Sequence, residues 1–154
     1  SLFSIYYLAG SSVRLYLLLW IIILVICSDV GGYTFGKIFK WKKFTSISPK
    51  KTLSGVFGSF IFSLFSLFIA NIIVFNTGMH SSLNFFEPKY FFLAIILSLV
   101  AQIGDLTISY FKRIEKIKDA GKSLPGHGGI LDRIDGLMFV IILTFFLIQS
   151  KIIP

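Results

Sequence analysis

The chain has 154 residues, 55% of them hydrophobic and 14% charged, with a formal net charge of +8 and a mean hydropathy of +0.85. A soluble domain carries about a quarter charged residues, so this composition excludes an ordinary water-soluble enzyme and points to an integral membrane protein. A single cysteine, Cys27, excludes an intrachain disulfide and a cysteine-based metal site; it lies in an apolar run and reads as a buried, inert thiol.

The chain begins with Ser rather than Met, and residues 1–9 read as the end of an earlier span of a longer protein. Four apolar runs follow, at 13–30, 53–75, 90–111 and 136–153. Each approaches the ~20 residues needed to cross a bilayer as a helix, the simplest structure that satisfies its own backbone in lipid. The expected fold is all-α: one integral membrane domain over residues 1–154, a polytopic bundle of about four spans. There is no alternating pattern of a transmembrane barrel and no sustained repeat.

The loops differ in charge. Lys37, Lys40, Lys42, Lys43, Lys50 and Lys51 follow the first span, and Lys112, Arg113, Lys116, Lys118, Lys122 and Arg133 follow the third, which is 12 of the 15 Lys and Arg. The connection "NTGMHSSLNFFEP" between spans two and three has none, and His80 there reads as an ordinary surface residue. The positive-inside rule puts loops 31–52 and 112–135 in the cytoplasm. Topology and attraction to anionic lipid account for the basic charge, so no nucleic-acid partner is expected.

The acids are less easily explained. Asp29 closes the first span in "ICSDVGGYTFG", Asp105 lies inside the third in "LVAQIGDLTISYF", and Asp132 and Asp135 flank the start of the fourth in "GGILDRID". A carboxylate within a membrane segment is expensive and marks a pairing or a function. Asp132 and Asp135, three apart, share one helical face. Two readings stay open: the acids pair with nearby Lys or Arg, or several converge on a hard divalent ion, which takes carboxylates plus substrate phosphates.

Two loops suit phosphate. "LPGHGGILDRID" places Gly126, Gly128 and Gly129 around His127, where glycines let backbone amides approach an anion. A helix beginning near Ile130 would add its dipole, and Lys112, Arg113 and Lys118 would add counter-charge. His127 could contact a phosphate or nucleotide, transfer a proton, or be bonded to the loop backbone. In the other loop, "SPKKTLSG" sets Ser48, Lys50, Lys51 and Thr52 before the second span, either as a phosphate site or as a basic surface anchor with Pro49 at a helix start.

Together these motifs resemble the phosphatidate cytidylyltransferases, the CDP-diacylglycerol synthases. The resemblance rests on Ser109, Lys112, Arg113, Lys118, Asp119, Gly121, Pro125, Gly126, His127, Gly128, Gly129, Asp132, Arg133 and Asp135. Gly104–Asp105, "SDVGGYTFGK" and "SPKKTLSG" also fit, so the match covers residues 29–136. Family members are usually longer, and the chain looks like their C-terminal, catalytic part.

The resemblance implies transfer of a cytidylyl group from CTP to phosphatidate, giving CDP-diacylglycerol and pyrophosphate. It implies Mg²⁺ or a similar divalent cation on Asp105 and Asp132, completed or oriented by Asp135 and Asp29. Lys118 and His127 join Asp105, Asp132 and Asp135 as candidate catalytic groups. Ser48, Lys50, Lys51, Thr52, Ser109, Lys112, Arg113, Gly128, Gly129 and Arg133 are candidate substrate contacts. The expected setting is a bacterial inner membrane with the site facing the cytoplasm, among membrane lipids, with a homodimer as an open option. The alternatives are another CTP-dependent lipid enzyme, such as a polyprenol or dolichol kinase, and a non-catalytic fragment of the synthase. A CDP-alcohol phosphatidyltransferase is disfavoured, since "DGLMFV" lacks the Ala-Arg of its motif. A transporter or channel is disfavoured because the charges gather at one edge.

Overall fold

The structure, a computed structural model, describes residues 12–39, 41, 51–77, 84–114, 131–150 and 153, without the side chains of 12 and 131–135. The described residues form four helices, α1 (Ser12–Phe39), α2 (Leu53–Asn76), α3 (Pro88–Ile114) and α4 (Leu131–Gln149). By length and composition α1, α2 and α3 can each cross a membrane. Among the residues with described side chains, the apolar part of α4 is Gly136–Gln149, which is shorter.

The helices overrun their expected ends. The first does not stop at Val30 but continues to Phe39, so the first nine residues of the expected loop 31–52 are helical. A Gly-rich, hydroxyl-bearing stretch reads as a loop, yet its glycines here pack against a neighbouring helix. The third helix reaches Ile114, which moves Lys112 and Arg113 from the expected loop onto its last turn, where cations meet the negative end of the helix dipole. The fourth begins at Leu131, next to the Ile130 expected for its start, so Asp132, Arg133 and Asp135 are helical, and it ends at Gln149 rather than 153.

Helix ends are capped by their own sequence. Thr52 has extended backbone, and its Oγ1 accepts from Gly55 N at the start of α2. At the other end, the backbone N–H of Thr77 donates to Ile73 O, and its Oγ1 donates to Ile73 O and Val74 O. Pro88 opens α3, where a missing N–H costs nothing.

α1 and α2 run antiparallel in the most extensive contact of the bundle. Trp20 Nε1 donates to Ser66 Oγ at 3.2 Å, and further along Ser59 Oγ donates to Ser28 O at 2.8 Å. Beyond that the backbones touch. A Cβ on Gly31 would stand 2.5 Å from Gly58 O, and a Cβ on Gly58 would stand 2.5 Å from Gly31 O. The buried face of α2 is correspondingly small, with Gly55, Ser59, Ser63, Ser66 and Ala70 in a stripe. Lipid gives no hydrophobic drive to helix association, so close packing of small residues and interhelical hydrogen bonds carry it.

α3 lies parallel to α1. Tyr90 meets the edge of Trp20 with centroids 5.7 Å apart, and Ser98 Oγ bonds Ser28 Oγ at 2.8 Å. α4 closes on α3 through small residues: Gly136 against Ala101 O, and Gly104 beneath Phe139. The core is built from Leu17, Trp20, Ile21, Leu24, Leu67, Tyr90 and Leu97. The outward face of α2 exposes Phe57, Ile61, Phe65, Phe68, Ile72 and Phe75 at helical spacing, as a lipid-facing surface would.

Gly58→Ala is expected to destabilise the bundle by about 1–3 kcal/mol, since backbone must move to admit the methyl group. Ile61→Ala, on the exposed face, is expected to change little. Thermal unfolding in detergent, followed through the reactivity of Cys27, measures both; equal midpoints would contradict the packing described.

Candidate functional site

At the end of the bundle where α1 gives way to α2, three helices enclose an open cleft of about 300 Å³. α1 contributes Asp29, Gly32 and Tyr33; the start of α2 contributes Lys51, Thr52, Gly55, Val56 and Ser59; α3 contributes Gln102 and Asp105. The glycine contact sets its depth. A Cβ on Gly32 would lie 2.7 Å from Ser59 Oγ, which would have to turn from Ser28 O, and one on Gly55 would lie 2.8 Å from Gly32 O.

The polar groups come from elements far apart in sequence. Lys51 Nζ lies 2.5 Å from Asp105 Oδ2 and also donates to Gln102 O at 3.2 Å. Both partners are partly exposed, at 24% and 39% of the side chain, so this is a pair at the mouth of a cleft. Lys51 directly precedes the capping Thr52, whose Oγ1 also bonds Ser54 Oγ at 3.0 Å. The N-terminus of α2 therefore opens into the same cleft as the ammonium, and both favour negative charge. Gln102 Nε2 is a buried donor with no partner among the described residues, and buried donors are normally satisfied.

The structure thus brings together four expected site residues: Asp29, Lys51, Thr52 and Asp105. It does not bring Ser109, Lys112 or Arg113 into the cleft lining. Ser109 and Lys112 follow Asp105 at helical spacing on one face of α3, and Arg113 is exposed on its last turn. Asp132, Arg133 and Asp135 stand on the first turns of α4, just before the Gly136 that packs on Ala101, one turn from Asp105. Their side chains, and Ser48, Lys50, Lys118, His127, Gly128 and Gly129, lie outside the described residues.

Tyr33, Ser59 and Gln102 were not foreseen as lining. Gln102 is one amide in an apolar run, and only α3 packing beside the start of α2 gives it a role. Gly32 and Gly36 form a small-xxx-small pattern, a signal of close helix contact that could have located the wall of the cleft.

Among the described residues, no three of His, Cys, Asp and Glu are placed to hold a metal. Asp29 and Asp105 are the described carboxylates of the cleft. Two hard oxygen donors beside an anion-favouring helix end suit a Mg²⁺-like ion that takes its remaining ligands from water and substrate phosphate.

Comparison with known proteins supplies a family. A sequence model described as the cytidylyltransferase family matches residues 2–151. The chain belongs to the cytidylyltransferase family. A phosphatidate cytidylyltransferase of Helicobacter pylori is 40% identical over 122 residues, 79% of this chain and 43% of the relative. Enzymes of the same name from Staphylococcus haemolyticus and Staphylococcus aureus are 41% identical over 147 residues and 42% identical over 139 residues. Those matches cover 94% and 88% of this chain, and 54% and 50% of the relatives. The chain therefore spans about half the length of the curated relatives it matches.

Thr52→Ala is expected to lower stability by about 0.5–2 kcal/mol through loss of the α2 cap, and Thr52→Ser to retain it. The Cys27 unfolding assay separates the two; no difference between them would remove the capping role.

Proposed function

We propose that the chain carries the catalytic cleft of a phosphatidate cytidylyltransferase, which joins CTP and phosphatidate into CDP-diacylglycerol and releases pyrophosphate. The observation that supports this most is the convergence of Asp29, Lys51 and Asp105, from three helices, on a cleft at the capped N-terminus of α2. The names of the staphylococcal and Helicobacter relatives supply the substrate pair.

Both substrates are polyanions, so neutralising and aligning charge is the main catalytic demand. A phosphate oxygen of phosphatidate attacks the α-phosphorus of CTP. A new P–O bond forms, the bond to the bridging α–β oxygen breaks, and pyrophosphate leaves with that electron pair. The attacking phosphate is already ionised, so no side chain need act as a nucleophile. Asp29 and Asp105, with Asp132 and Asp135 from the start of α4, are the residues that would hold Mg²⁺. When bound, Mg²⁺ would neutralise charge on the phosphate oxygens. Lys51 and the N–H groups at the start of α2 would hold phosphate, with Ser48, Lys50 and Thr52 as neighbours in the chain. Lys112, Arg113, Lys118 and Arg133 would hold further phosphate charge, and His127, Gly128 and Gly129 would line the anion loop. The cleft would lie at the cytoplasmic boundary of the inner membrane, where soluble CTP can meet an acyl-anchored phosphate.

Radiolabelled CTP with phosphatidate and Mg²⁺, supplied to this chain and to a longer protein that carries it, is expected to yield CDP-diacylglycerol and pyrophosphate. Asp105→Asn and Asp132→Asn are each expected to lower turnover about 100-fold or more. CDP with a newly phosphorylated lipid would instead identify a kinase. Full activity in both variants would overturn the assignment of these carboxylates.

A further inference from the structure

We infer that Lys51 is the resident counter-ion of Asp105, occupying the carboxylate until a divalent cation displaces it. This rests on the proposed metal-assisted reading of the cleft and adds an exchange step to it.

The geometry carries the inference. Lys51 Nζ is 2.5 Å from Asp105 Oδ2, within the reach that a metal would need on that oxygen. An ammonium and a divalent cation cannot share one carboxylate oxygen without strong mutual repulsion. One has to leave, and Lys51 is built to leave. Among the described residues its second contact is one carbonyl, Gln102 O at 3.2 Å. The pair is partly exposed, so water can receive the ammonium, and an exposed ion pair is weak. The Lys51 backbone abuts the capped start of α2, while a flexible four-carbon stem lets the ammonium swing.

The exchange solves an electrostatic problem. Asp29 and Asp105 line one cleft, and the ammonium of Lys51 on Asp105 lowers the negative charge of that cleft before metal arrives. Once displaced, the same ammonium lies beside the α2 N-terminus, where a substrate phosphate would be held. One cation would thus serve the carboxylates in the empty cleft and the phosphate in the loaded one. Lys51 is in this sense a positioning residue for the metal as well as a phosphate contact.

Mn²⁺ titration of the purified chain, read by the electron paramagnetic resonance signal of free Mn²⁺, tests the exchange without any turnover. Lys51→Met is expected to bind Mn²⁺ about two- to fivefold more tightly than the wild type, the gain from losing a weak exposed competitor. Lys51→Arg, which keeps the charge, is expected to bind no more tightly than the wild type. Weaker or unchanged binding in Lys51→Met overturns the inference while leaving the metal reading intact. Wild-type binding that is absent, or indifferent to Asp29→Asn and Asp105→Asn, overturns both. A second measurement needs no variant: acetylation of Lys51 by an amine reagent, read by mass spectrometry, should accelerate when Mg²⁺ is added in the absence of CTP. A slower or unaltered rate overturns the exchange.

Discussion

The backbone contact between α1 and α2 is the constraint on which the site depends. Gly31 and Gly58 present their carbonyls to each other's missing side chains, and Gly32 presents its carbonyl to Gly55 while lying against Ser59 Oγ. Only this proximity lets Asp29 on α1 and Lys51 before α2 border one cleft. It also explains why the helix continues through "DVGGYTFGK". In a long apolar bundle the backbone gains more from intrahelical bonds and close packing than glycine loses in conformational freedom. The hydroxyl bonds from Ser28 to Ser98 and from Ser59 to Ser28 fix α3 and α2 against that same segment of α1.

Polarity is sorted along the bundle. Toward one end, Trp20, Phe85 and Tyr90 form an aromatic cluster with centroids 5.0–5.7 Å apart. Toward the other, Asp29, Lys51, Gln102 and Asp105 gather around the cleft. Charged groups inside a bilayer must be paired or border water, and here both conditions hold for Lys51 and Asp105. The apolar end supplies rigidity, and the polar end can exchange partners because its ion pair is only partly withdrawn from solvent.

Much of the fold was legible, because apolar length alone marks a membrane helix and needs no partner to be read. The ends were less legible. Composition assigned Gly31 to Phe39 to a loop, whereas tertiary packing makes it helix. Lys112 and Arg113 looked like loop cations but finish α3, where the helix dipole favours them. Within the site, Asp29 and Asp105 stood out as acids in greasy runs, and Lys51 and Thr52 as part of a basic, hydroxyl-rich helix start. Their convergence was not legible by spacing, since Lys51 and Asp105 meet only through the packing of α2 on α3. Gln102 carried no signal, because an isolated amide in an apolar run has the same appearance whether it faces a cleft or a neighbouring helix.

The most direct test is a structure determined with Mn²⁺ and CTP, the metal located by its anomalous scattering. The expected result is a peak at coordinating distance from the Asp105 carboxylate, with nucleotide phosphate on its far side and the Lys51 ammonium moved from the carboxylate to phosphate. Metal and triphosphate bound elsewhere, with the Lys51–Asp105 pair intact, would contradict the assignment of this cleft.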